Sequence, residues 1–104
     1  MNTARRNFGL RYVGSLSGRG RLWAADELLG EADYAIEVTE DAGAERYAYG
    51  TLSGSAEVLV RVSCAQSEIQ LECCRRPVTI VLLQTLRTIA YFELVDRAVC
   101  AAMC

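Results

Sequence analysis

Five thiols and eleven guanidinium groups carry whatever chemistry this chain can do, and no imidazole stands beside them. The cysteines are Cys64, Cys73, Cys74, Cys100 and Cys104. On a helix, Cys100 and Cys104 would share one face, and Cys64, Cys73 or Cys74 could complete a ligand set. The chain has neither a Cys-x-x-Cys pair nor a histidine, which are the usual marks of zinc. The cysteines therefore read as small buried hydrophobes, with no metal and no cofactor. A nucleophilic cysteine also needs a general base, and the common Cys-His pair cannot form. An odd number of cysteines, with no export signal visible in the first ten residues, speaks against a disulfide framework.

The carboxylates offer no better catalytic pair. Asp26 and Glu27 read as the start of a short helix, where acids favour the dipole. Glu40 and Asp41 read as a solvated turn, and the serines fall in turns with no base nearby. No catalytic residue is assigned, and the expectation is a non-enzymatic protein.

Every basic residue is arginine and alanine is abundant, which reads as the usage of a high-GC bacterial genome. The arginines are also segregated. Arg5, Arg6, Arg11, Arg19 and Arg21 precede every acid, whereas residues 26–57 hold nine acids and only Arg46. Two readings follow. Arg11, Arg19 and Arg21, with Trp23, could track phosphates and stack bases as a nucleic-acid or anion contact. Alternatively the two segments lie side by side and pair. A sequence pI near 5.1 favours the second.

These residues need a scaffold, and a repeat hints at its form. "GSLSG" at 14–18 recurs as "GTLSG" at 50–54, so Gly14, Leu16 and Gly18 match Gly50, Leu52 and Gly54. Both copies read as strand ends running into turns, with Gly14 and Gly50 in mid-strand, where a glycine marks a bulge, a bend or close approach by a bulky neighbour. Two copies are too few for a solenoid. They suit a small barrel with two equivalent bends.

The pattern supports the same picture. "LRYVGSL" alternates, with Leu10, Tyr12, Gly14 and Leu16 on one face. "SGRG" at 17–20 then reads as a hairpin turn and "RLWAA" as the return strand. "DELLGEA" reads as a helical turn or loop. "ADYAIEVT" is a clear strand with Tyr34, Ile36 and Val38 facing in. "EDAGAE" is a turn and "RYAYGTLS" a strand. Residues 55–64 fit either a strand or a helix capped by Ser55, and the helix is preferred. "SEIQLEC" buries Ile69, Leu71 and Cys73, and "CRRP" turns the chain. "VTIVLLQ" is apolar on both faces, so a doubly covered central strand is expected. "TIAYFELV" groups Ala90, Phe92 and Leu94.

Gly50 onward resembles a group of short uncharacterised bacterial proteins: a G-T-L-S-G element, an amphipathic segment, a strand, a turn and an apolar strand. The likeness spans roughly residues 12–92 and implies no activity. Here Ser55 stands where that pattern has an acid, and residues 74–77 stand where it has Asp-Gly.

The expected fold is mainly β: a small single-domain antiparallel barrel or sandwich of six to eight strands with one or two short helices. Residues 1–7 form an arm, 8–96 the β-rich domain and 97–104 a short helix or tail. No apolar run is long enough to span a membrane as a helix, so a soluble, cytoplasmic protein is expected. The expected role is protein interaction or self-association, with Val99 and Met103 as a partner surface. RNA or single-strand binding through the N-terminal arginines is the alternative.

Overall fold

The computed structural model describes residues 10–73 and 75–95. Six strands and one helix follow in the order β1 (Arg11–Ala24), β2 (Glu27–Glu40), β3 (Arg46–Ser53), α1 (Ala56–Cys64), β4 (Ile69–Cys73), β5 (Arg76–Thr85) and β6 (Ile89–Leu94). All neighbours are antiparallel, and the sheet closes as β1-β2-β3-β6-β5-β4. The expected barrel is thus present, with one helix among the described residues.

Alternation places the core. Tyr34, Ile36 and Val38 of β2, Ile69, Leu71 and Cys73 of β4, and Ala90, Phe92 and Leu94 of β6 are all buried. Each set follows the period-two rule of a strand with one face inward. Helix α1 begins where Ser55 accepts a hydrogen bond from the Val58 amide at 3.2 Å, and it buries Leu59 and Val62. That decides residues 55–64 for helix: the capping serine removes a donor that a strand would leave to pairing.

Five expectations are corrected. Residues 17–20 do not turn; β1 runs unbroken to Ala24, and the hairpin turn falls at Ala25 and Asp26, with Ala25 at φ 55°. The first repeat copy is therefore mid-strand and not a strand end. Its Gly18 answers to a neighbour, since a Cβ there would lie 2.8 Å from the Tyr34 hydroxyl, and just beyond the copy a Cβ on Gly20 would lie 2.1 Å from the Glu72 carbonyl oxygen. The "DELLGEA" stretch is strand, not helix, because it pairs with β1 from Ala24–Glu27 onward. Leu29 there is the extra residue of a bulge, followed by Gly30 at φ 145° beneath Val58 of α1.

A further bulge at Val13 switches the face of β1, so Leu10 and Tyr12 are exposed while Val13 and Leu16 pack on the core. The turn after β4 is shorter than "CRRP", since Arg76 and Pro77 already pair in β5. Finally, β5 is not covered on both faces. Val81 and Leu83 are 45% and 59% exposed: the one described helix touches both β2 and β5, but it buries Leu59 and Val62 with the inward-facing core residues and leaves the outside of β5 open.

The second repeat copy ends as expected, with the Gly54 amide donating to the Thr88 carbonyl. Register explains the repeat itself. Leu16 and Gly50 flank Ile36 from opposite sides, and Gly18 and Leu52 flank Tyr34. The copies lie two residues out of step across β2, so each leucine stands in the same row as the other copy's glycine. The expected arm at 1–7 and tail at 97–104 lie outside the described residues, as do Val99 and Met103.

Candidate functional site

The arginines of β1 point outward, where period two puts odd residues between Ser15 and Trp23. Directly across the ladder stand the acids of β2. Arg19 donates from Nε to Glu31 at 3.0 Å and from Nη1 to Asp33 at 3.2 Å. Both carboxylates, Glu31 foremost, raise the Arg19 pKa further, so its charge is fixed. Arg21 donates to Glu72 of β4 at 2.8 Å, and its guanidinium lies 5.8 Å from the centre of the Trp23 ring. The Trp23 indole N–H donates to the other Glu72 oxygen at 3.2 Å. Glu72 thus ties two β1 side chains to β4 across the barrel seam.

At the other end of β1, Arg11 donates to Glu40, which also accepts from Arg46 of β3 at 3.4 Å. The Arg11 bond, with Arg46 assisting, holds the Glu40 carboxyl below its usual range. The segregated charges of the sequence are therefore neighbours in space. Arg11, Arg19 and Arg21 each hold a carboxylate, and Trp23 is half-buried over a salt bridge.

Between these pairs lies a groove of about 510 Å³, lined by Gly18, Arg19, Gly20, Arg21, Tyr34 and Arg75 among others. Its two glycines let neighbours approach closely: at Gly18 a Cβ would meet the Tyr34 hydroxyl at 2.8 Å, and at Gly20 the backbone of Glu72. Arg75, in the turn before β5 at φ 68°, joins the arginines here. Sequence reasoning missed Arg75, Tyr34 and Glu72. The alternation of "SEIQLEC" put Glu72 outward, but nothing in the sequence paired β4 with β1.

A larger groove of about 630 Å³ runs between the β1–β2 turn and the end of α1. It contains the exposed thiol of Cys64, with Asp26, Glu27 and Arg61. Arg61 is engaged by Glu57 and by the Leu29 carbonyl. Cys73 is buried in the core. Cys74, Cys100 and Cys104 lie outside the described side chains, and among the described residues no group of three ligating side chains gathers as a metal site.

The outer surface of β3, β6 and β5 is of another kind. Tyr49, Val81, Leu83, Ile89 and Tyr91 are all exposed there. In register, Tyr49 adjoins Glu93, which adjoins Val81; Thr51 adjoins Tyr91, and Ser53 adjoins Ile89. Among the described residues, no helix is long and apolar enough to cross a membrane. No family model, curated protein or solved structure matches the chain.

Proposed function

We propose that the chain is a protein-interaction module that self-associates in a bacterial cytoplasm, two copies burying the outer surface of β3, β6 and β5 against each other. The reading involves no catalysis. One observation carries it: the exposed apolar group Tyr49, Val81, Leu83, Ile89 and Tyr91 lies on three adjacent strands with Glu93 among them. Apolar side chains exposed together on adjacent strands, here interspersed with Thr51, Gln84 and Glu93, favour burial by a partner. Tyr91 on the middle strand and Tyr49 on β3 are of the residue type that interfaces favour. A two-fold pairing of one patch with itself is the commonest way to close such a contact.

Sedimentation equilibrium tests it. The expected result is a dimer for the native chain and a monomer for Val81→Glu with Leu83→Glu, both positions being exposed in the isolated fold. A native chain that stays monomeric at high micromolar concentration would sink the reading. The nucleic-acid alternative needs the β1 arginines released from Glu31, Asp33 and Glu72. Binding to a labelled oligonucleotide is expected to be negligible even at low salt. Salt-sensitive micromolar binding, abolished by Arg19→Glu with Arg21→Glu, would put that alternative first.

A further inference from the structure

The outward side chains of β6 are Ile89, Tyr91 and Glu93, which alternate with the buried Ala90, Phe92 and Leu94. Both edges of this strand are filled, by β3 and by β5. Another chain can therefore meet β6 only side chain against side chain, not by adding a strand. A closed sheet curves away on either side of any one strand, so a contact with the outer surface of β3, β6 and β5 centres on β6.

Charge marks the two ends of this strand. Among the residues that pair in the β3–β6 and β5–β6 ladders, Glu93 is the one charge. Beyond the other end, in the turn before Ile89, stands Arg87, which is exposed as well. Neither side chain has a hydrogen bond or ion pair among the described residues, whereas Arg11, Arg19, Arg21, Arg46 and Arg61 each hold a carboxylate. At ~3.4 Å per residue, roughly 20 Å of chain separates Arg87 from Glu93, with Ile89 and Tyr91 between them. Leu86, 49% exposed, donates its amide to the Ile89 carbonyl and widens the apolar middle.

We infer that two copies pack with their β6 strands face to face and antiparallel, Arg87 of each chain against Glu93 of the other. The inference rests on the self-association reading and adds what orients it. A two-fold axis lying in the contact and crossing β6 at Ala90 reverses the strand and exchanges the two charges. It also lays Ile89 of each copy on Tyr91 of the other. Packed sheet faces stand about 10 Å apart, a gap that an arginine and a glutamate side chain span together. An apolar centre with opposite charges at its ends matches itself when reversed, and that self-complementarity is what a two-fold contact requires.

The same charges disfavour the other two-fold arrangement of this surface. An axis running along β6 would set the strands parallel, each residue over its own copy. Glu93 would then face Glu93 and Arg87 would face Arg87, and like charges juxtaposed across an interface oppose assembly. The pair thus selects between two ways of burying one apolar surface. It lies at the rim of the contact, where charges set orientation and selectivity more than affinity.

Sedimentation equilibrium of the native chain, Arg87→Glu, Glu93→Arg and the double reversal tests it. Each single variant sets like charges together at both ends of the antiparallel dimer. Each is expected to weaken the dimer about tenfold, two exposed ion pairs being replaced by repulsion. The double reversal restores both pairs and is expected to return to the native dissociation constant. Mixing the two single variants restores them as well, because each charge of one then meets its opposite on the other, and a heterodimer as tight as the native dimer is expected. The double variant and the mixture contain the same substitutions, so a folding defect in a single variant cannot produce the rescue. The inference is overturned if the single variants dimerise like the native chain, or if the double reversal or the mixture fails to recover. It is also overturned if the mixture associates more tightly than the native chain, which is the mark of parallel strands. In each of these cases a native dimer that Val81→Glu with Leu83→Glu dissociates leaves the self-association reading standing. A native chain that is monomeric removes both.

Discussion

At the scale of single residues, the glycines of the repeat divide by what crowds them. At Gly50 a Cβ would stand 2.1 Å from the Ala35 carbonyl oxygen, which is backbone and cannot move without breaking the β2–β3 ladder. At Gly18 the obstacle is the hydroxyl end of Tyr34, a side chain that can shift. Gly14 lies beside the Val13 bulge, where β1 changes face. Gly50→Ala is therefore expected to destabilise by roughly 1–3 kcal/mol or more, the cost of overpacking, and Gly18→Ala by clearly less. Gly50→Val, being bulkier, should cost at least as much as Gly50→Ala. Urea midpoints check the order; a Gly50→Ala midpoint equal to that of the native chain would mean that the close approach is not real.

At the scale of elements, one rung ties three strands: Arg11 of β1, Glu40 of β2 and Arg46 of β3 are successive cross-strand neighbours. Glu40 has a lowered pKa in the fold, with Arg11 as the main cause. The unfolded chain then takes up this proton first as pH falls. The rung's contribution is present above the ordinary glutamate value of ~4.3 and is lost as pH drops through the lowered folded value. Glu40→Gln should thus be less stable than the native chain at neutral pH, with the gap in urea midpoint closing in acid. A gap unchanged between neutral and acid conditions would refute the assignment. The same rung shows what the sequence could tell. Segregated charge predicted that the first and second segments pair, because opposite charges need only adjacency. Alternation predicted the inward faces of β2, β4 and β6, because each is a regular strand with one buried side. It failed at β1 and the start of β2, where bulges at Val13 and Leu29 change the face. It failed at "SGRG" as well, because the glycines there make room for Tyr34 and Glu72, long-range neighbours that no local turn rule contains.

At the scale of the whole molecule, the barrel is closed by its shortest ladder. Between β1 and β2 the pairing runs from Arg11–Glu40 to Ala24–Glu27, whereas β1 meets β4 only through Leu22–Leu71, Trp23–Gln70 and Ala24–Ile69. The seam gains from two buried leucines, Leu22 and Leu71, and from Glu72, which accepts from both Arg21 and Trp23. Those last contacts are partly exposed, and such ion pairs contribute only ~0–1 kcal/mol. Opening the seam exposes little surface compared with unfolding the sheet, so it belongs to the low-energy end of local openings. The amides of Trp23 and Gln70 are expected to exchange through this local event, faster than those of Ile36 and Val38 and with weaker dependence on urea. Glu72→Gln weakens the seam without emptying the core, so it should speed Trp23 and Gln70 further and leave Ile36 and Val38 almost unchanged. Trp23 is the chain's one tryptophan, and its fluorescence gives a second view of the same event. If all four amides exchange together at the rate of global unfolding, the barrel opens as one unit and the seam is no weaker than the rest.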